Sequence, residues 1–107
     1  MKRGDVWQVD LGTEAGKRPA LILTRNAVLP YLNKLTVAEI TTKSKGYPTE
    51  IDINQKANLK KHSFVQVDNI QTISKQRFLK CIGSLDESTM KVVSQKVVLA
   101  LNLEDAF

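Results

Sequence analysis

Apolar and polar residues alternate along most of this chain with a period of two, the spacing of a strand that buries one face. Over residues 5–11, Trp7, Val9 and Leu11 share a face opposite Gln8 and Asp10. Residues 18–24 break the alternation. Pro19, Ala20, Leu21, Ile22 and Leu23 run on without a polar residue, as in a strand buried on both faces. Pro19 has no N–H to donate and suits the first position of that strand or an edge. Residues 35–42 read as a third strand and 49–54 as a fourth, with Ile51 and Ile53 inward. Residues 63–73 read as a fifth, with Val65 and Val67 on one face and Phe64, Gln66 and Asp68 on the other. A short strand is expected over 79–85.

Between these runs lie breakers. Residues 12–17 are a loop, and 25–34 a connection with a helical turn. Gly46 and Pro48 mark a turn over 43–48, and 55–62 is a basic loop. Ser74 suits the cap of one helical turn before the last strand. The pattern then changes period. Met90, Val93, Val97 and Leu101, with Ala100 beside them, recur at spacings of three and four, which predicts a helix packing that stripe on the sheet. Ser84, Leu85, Asp86 and Glu87 have the spacing of a capping box at its start. Short strands followed by one terminal helix imply a small α+β domain, mainly β, around a curved and mostly antiparallel sheet. A chain of 107 residues fits one domain, 1–107.

Composition narrows the classes. With 42% hydrophobic and 25% charged residues the chain is ordinary for a globular domain. No apolar run approaches the roughly 20 residues of a membrane helix. The start is charged and passes straight into a strand pattern, without the apolar stretch of a secretion signal. One cysteine, Cys81, cannot form an internal disulfide, and a cytoplasmic location is expected. Cys81 sits in an apolar strand pattern, where a free thiol acts as a small hydrophobe. The net charge of +5 favours polyanionic partners, although simple solubility explains a charge of this size as well.

Candidate chemistry starts with what is missing. One Cys and one His supply no zinc set, no acidic run has calcium-loop spacing, and there is no phosphate-binding glycine motif. No metal or cofactor is expected. His62, among lysines, is either a general base near neutral pH or a solvated loop residue, and its setting favours the second. There remains a scattered polar set: Glu14, Lys17, Arg18, Thr41, Thr42, Lys43, Lys45, Gln66 and Asp68. Arg18 precedes a strand and Thr41 ends another, and strand ends can converge on one rim. A guanidinium there binds phosphate in two-pronged fashion, threonine adds a neutral donor, and Glu14 or Asp68 can accept a proton. Such parts suit attack of an RNA 2′-hydroxyl on the adjacent phosphate. Each also has a plainer reading. Arg18 can pair with Glu14 at the surface, Thr41 has the shape strands prefer, and Asp68 can cap a turn with Asn69.

Three segments together resemble the MazF/PemK family of toxin–antitoxin endoribonucleases. They are RGDVWQVDL followed by EAGKRPALIL, then AEITTKSKGYPTEI, then VDNIQTISKQRF leading to IGSLDESTMKVV. The resemblance spans nearly the whole chain in the family's order. It implies an SH3-like, strongly twisted antiparallel β-barrel with a C-terminal helix, in a homodimer. It implies metal-independent RNA cleavage leaving 2′,3′-cyclic phosphate and 5′-hydroxyl ends, and so arrest of translation. Arg18 matches the family's catalytic arginine, for phosphorane stabilisation and proton transfer. Thr41 matches the catalytic threonine, Glu14 an acid some members use as base, and Asp68 an acid that contributes to the site in some relatives. Lys17, Thr42, Lys43, Lys45 and Gln66 would join Asp68 in holding substrate. The first loop is shorter than the common form, and Gln66 stands where some relatives have arginine. Lys43, Lys45, Lys60 and Lys61 can supply the backbone contacts instead.

The implied partners are single-stranded RNA, an acidic cognate antitoxin suited to the positive charge, and operator DNA bound by the toxin–antitoxin complex. One competing function uses the same fold: the CcdB toxin resembles MazF in shape but binds DNA gyrase without cutting RNA. Retention of Arg18 and Thr41 favours the nuclease.

Overall fold

The computed structural model describes every residue except Thr13, Ala15 and Phe107. Its strands are β1 (Asp5–Asp10), β2 (Lys17–Ile22), β3 (Lys34–Thr41), β4 (Glu50–Asn54), β5 (Ser63–Ser74) and β6 (Phe78–Ser84), followed by helix α1 (Glu87–Ala100). Short 3-10 turns occupy Asn26–Val28, Lys75–Arg77 and Glu104–Ala106. All pairings are antiparallel, in the order β4-β5-β3-β2-β1-β6. The α+β, mainly β class expected from the pattern is the one observed.

The expected closed barrel is not. No ladder joins β4 to β6, the two ends of the sheet. The loop between β4 and β5 is interposed instead: Asn58 Nδ2 donates to the Ile82 carbonyl at 3.0 Å, and the Ala57 backbone lies on Gly83. A Cβ at Gly83 would stand 2.6 Å from the Ala57 carbonyl oxygen, closer than such atoms approach. Gly83→Ala should therefore prise the seam apart, costing about 1–3 kcal/mol. Thermal denaturation should show it as a Tm lowered by several degrees; an unchanged Tm would mean the seam contributes nothing.

Residues directly paired across an antiparallel ladder share a face. One face therefore gathers Val6, Leu21, Leu23, Ala38, Ile40, Ile51, Ile53, Val65 and Val67 into a core, on which Leu85 and the fully buried Val93 of α1 pack. The other face carries a second core of Val9, Ala20, Ile22, Leu35, Val37, Ile73 and Phe78, covered by Leu29, with Trp7 and Leu11 at its margin. Trp7 meets the Phe78 ring edge-on at 6.0 Å. The apolar run of β2 is thus buried on both faces, as its sequence predicts. The first strand exceeds its half-buried pattern, because Val6 is buried under the helix as Val9 is on the other side.

Two details of the helix differ from expectation. Asp86, not Ser84, is the N-cap, and its Oδ1 accepts from the Thr89 amide at 2.8 Å. Ser84 is still in β6, paired with Asp5, so the helix begins later than the capping-box spacing suggests. Leu101 caps the far end and is exposed, leaving Met90, Val93, Val97 and Ala100 as the packed stripe. Cys81 is exposed on edge strand β6 rather than buried: an apolar stretch in an edge strand keeps only part of its surface covered.

Candidate active site

The second face has a polar half, and the sheet register assembles it. In the β2–β3 ladder Ala20 faces Glu39 and Leu21 faces Ala38. Continued by two residues, that register sets Arg18 against Thr41. The ladder itself stops at Ala20, next to a proline that has no N–H. Beyond it the strands border an open cleft of about 340 Å³, lined by Lys17, Arg18, Pro19, Ile40, Thr41, Thr42, Lys43 and Ser63. Its walls carry three cations and three hydroxyls and no carboxylate, the character of an anion site. Thr41 Oγ1 accepts from the Lys43 amide at 3.1 Å, which turns the chain back at the end of β3.

Lys17, Arg18, Thr41, Thr42 and Lys43 thus come together as the sequence suggested. The other candidates do not line that cleft. Glu14 stands exposed in the tight turn after β1, where the Gly16 amide donates to the Gly12 carbonyl at 2.8 Å. Lys45, Gln66 and Asp68 line a smaller recess of about 70 Å³ with Tyr47, Thr49, Glu50 and Asn69. Asp68 leaves the β5 ladder altogether. Ala38 pairs with Ile70 but its neighbour Glu39 pairs with Gln66, so Val67, Asp68 and Asn69 form a bulge. There the Asp68 carboxylate accepts from the Thr49 hydroxyl at 2.5 Å, a partner that the expected cap with Asn69 did not include.

The recess is organised by Glu50, which lies beside the predicted set. Its carboxylate accepts from Gln66 Nε2 at 2.9 Å, Ser44 Oγ at 2.7 Å, the Lys45 amide at 3.0 Å and the Gly46 amide at 3.1 Å. Gly46 adopts φ +74, a left-handed conformation that lets its N–H turn inward. The bond from Gln66 above all, then the Lys45 amide and the Ser44 hydroxyl, hold the Glu50 carboxyl down at about 2. A carboxylate so satisfied is a poor base and a good anchor. Gln66 is itself buried, and its Oε1 accepts from Asn69 Nδ2 at 3.1 Å. Glu50 is not among the site residues expected from the sequence, although an acid just past a Ser-Lys-Gly turn is a usable sign.

His62 is not simply solvated. Its Nε2 lies 2.7 Å from Asp52 Oδ1, and its ring stacks on Phe64 with centroids 5.0 Å apart. The Asn54 amide first, then His62, lowers the Asp52 pKa. Among the described residues no three His, Cys, Asp or Glu side chains gather as a metal ion would require. None of their helices is long and apolar enough to cross a membrane.

Known proteins share this fold. Endoribonuclease MazF3 of Mycobacterium tuberculosis is 40% identical over 90 residues, covering 84% of this chain and 82% of that protein. The solved structure of the M. tuberculosis toxin MazF-mt6 superposes with a TM-score of 0.87 at 34% identity, over 94% of this chain and 98% of that one. A mycobacterial endoribonuclease solved in complex with its cognate antitoxin gives 0.86 at 28% identity, over 96% of each chain. Residues 2–101 match the family model of PemK-like, MazF-like toxins of type II toxin–antitoxin systems, and the chain belongs to that family.

Proposed function

We propose that this endoribonuclease toxin cuts RNA at the Arg18–Thr41 cleft by attack of the 2′-hydroxyl on the neighbouring phosphate. The observation that carries the reading is the cleft's lining of cations and hydroxyls without a carboxylate, which suits a phosphodiester gaining negative charge. In the proposed step Glu14, carried on the exposed turn after β1, takes the 2′-hydroxyl proton. The 2′-oxygen bonds to phosphorus as the bond from phosphorus to O5′ breaks, and the departing O5′ collects a proton at the Arg18 guanidinium. Arg18 and Thr41 stabilise the charge on the phosphorane. Lys17, Thr42 and Lys43 hold flanking phosphates, while Lys45, Gln66 and Asp68 hold the chain farther along, at the smaller recess. The products are a 2′,3′-cyclic phosphate and a 5′-hydroxyl, and no resident metal or cofactor takes part.

An antitoxin is the partner of this toxin, in keeping with its family and with the mycobacterial relative solved in complex with its own. The further proposal is an acidic segment that blocks the positive cleft of a homodimeric, cytoplasmic toxin; together the two would bind operator DNA. The chemistry is tested by incubating the pure protein with single-stranded RNA in excess chelator and mapping the ends. Cleavage should persist, with cyclic phosphate and 5′-hydroxyl termini. Ends bearing a 5′-phosphate, or loss of cutting on chelation, would overturn the mechanism.

A further inference from the structure

We infer that His62, fixed by Asp52 and stacked on Phe64, forms a subsite on which a nucleobase of the RNA stacks beside the cleaved phosphate. The inference rests on the assignment of cleavage to the Arg18–Thr41 cleft. Three observations carry it.

The first is position. Phe64 pairs with Thr41 on one side and with Asp52 on the other, so Asp52, Phe64 and Thr41 form one row across three strands on a single face. Arg18 continues the row by the register of β2 and β3. Strands are spaced about 4.8 Å apart, so the aromatic pair stands one strand away from the threonine of the cleft. Ser63, between His62 and Phe64, lines the cleft itself. A base attached to a nucleotide whose phosphate lies at Arg18 and Thr41 falls naturally over this neighbouring strand.

The second is preorganisation. The imidazole is gripped at two points, by the Asp52 carboxylate at Nε2 and by the Phe64 ring. Asp52 is fixed in turn, because its Oδ1 also accepts from the Asn54 amide at 2.9 Å. A flat ring held this way gives up little entropy when a base settles on it. The third is availability. With one side against Phe64, 54% of the His62 side chain is still exposed. Structural stacks in a core are covered on both sides; this one leaves more than half of the His62 side chain open to solvent. Lys60 and Lys61 precede it in the chain, and Lys43 lines the adjoining cleft together with Ser63, so flanking phosphates meet cations. Base stacking on aromatic rings next to a cationic track is the ordinary means of holding single-stranded RNA.

The test uses the whole protein and RNA oligonucleotides carrying one mapped cleavage site, with or without an abasic nucleotide on either side of it. His62→Ala should raise KM about tenfold, the size of one base–ring stack, with kcat little changed. His62→Phe, which keeps a stacking ring but loses the bond to Asp52, should recover part of the lost KM. An abasic nucleotide at the stacked position should penalise the wild type but not His62→Ala. The subsite is overturned if KM is unchanged in His62→Ala, if His62→Phe is as defective as His62→Ala, or if the abasic penalty persists in His62→Ala. Failure of the wild type to cut any RNA would overturn the cleavage reading itself, and the two failures are therefore told apart.

Discussion

Arg18→Ala should abolish RNA cleavage while leaving the fold intact. Arg18 is exposed at the start of β2, so its side chain contributes nothing to either core and truncation leaves no cavity. Its backbone is fixed nonetheless, since Val9 pairs with Arg18 and Gln8 with Pro19 on the β1 side. A cation mounted on a buried strand needs little reorganisation when charge builds on phosphorus. Removing a preorganised donor of that kind costs roughly a thousandfold in kcat. Arg18→Lys keeps the charge but loses the planar fork, and should recover only part of the activity. Thr41→Val should lower kcat as well, since it removes a hydroxyl in the cleft without changing the strand's branched shape. Single-turnover cleavage of a mapped RNA, with circular dichroism as the fold control, measures all three. Undiminished cutting by Arg18→Ala would remove this residue from the catalytic site.

The parts of this architecture that depend on local pattern were readable from the sequence. Alternation marks Ile51 and Ile53, and Val65 and Val67, as inward, and each is buried. The unbroken run after Pro19 marks a strand covered on both faces, and Leu21 and Ile22 belong to different cores. What alternation cannot express is which strands are neighbours and in what register. Arg18 and Thr41 are brought together by the β2–β3 ladder, and Asp68 is taken out of line by the bulge over residues 67–69. A bulge inserts residues without changing composition, so a periodic reading carried Asp68 onto the face of Phe64 and Gln66. The barrel was expected to close because the resemblance describes the family as a whole. Here a loop with a fitted glycine at position 83 stands where a ladder would be. Glu50 was missed because half of its donors are backbone amides, which a sequence does not display.

The same dependence on backbone donors makes Glu50 the more informative target for loss of substrate binding. Glu50→Ala should free the turn between β3 and β4 and weaken RNA binding, with KM rising more than kcat falls. The carboxylate gathers the Lys45 and Gly46 amides and the Ser44 hydroxyl, and so sets where Lys43 and Lys45 sit relative to the cleft. It also satisfies the amide of Gln66, whose side chain is buried; a buried amide left without its partner costs about 1–3 kcal/mol. Hydrogen exchange should show the Lys45 and Gly46 amides losing protection, and thermal denaturation should show a lower Tm. The pH dependence gives an independent check. The folded pKa, at about 2, lies below the ordinary glutamate value of 4.5, so the contribution of this carboxylate is fully present above pH 4.5. It is lost as pH falls through that window towards 2. Asp52 and Asp86 are also lowered in the folded state and add to the acid loss. Glu50→Gln, which cannot titrate, should therefore flatten the fall in stability between pH 4.5 and 2 without abolishing it. If wild type and Glu50→Gln lose stability in parallel over that range, the carboxylate is not the anchor of this turn. The KM effect of Glu50→Ala would then need another cause.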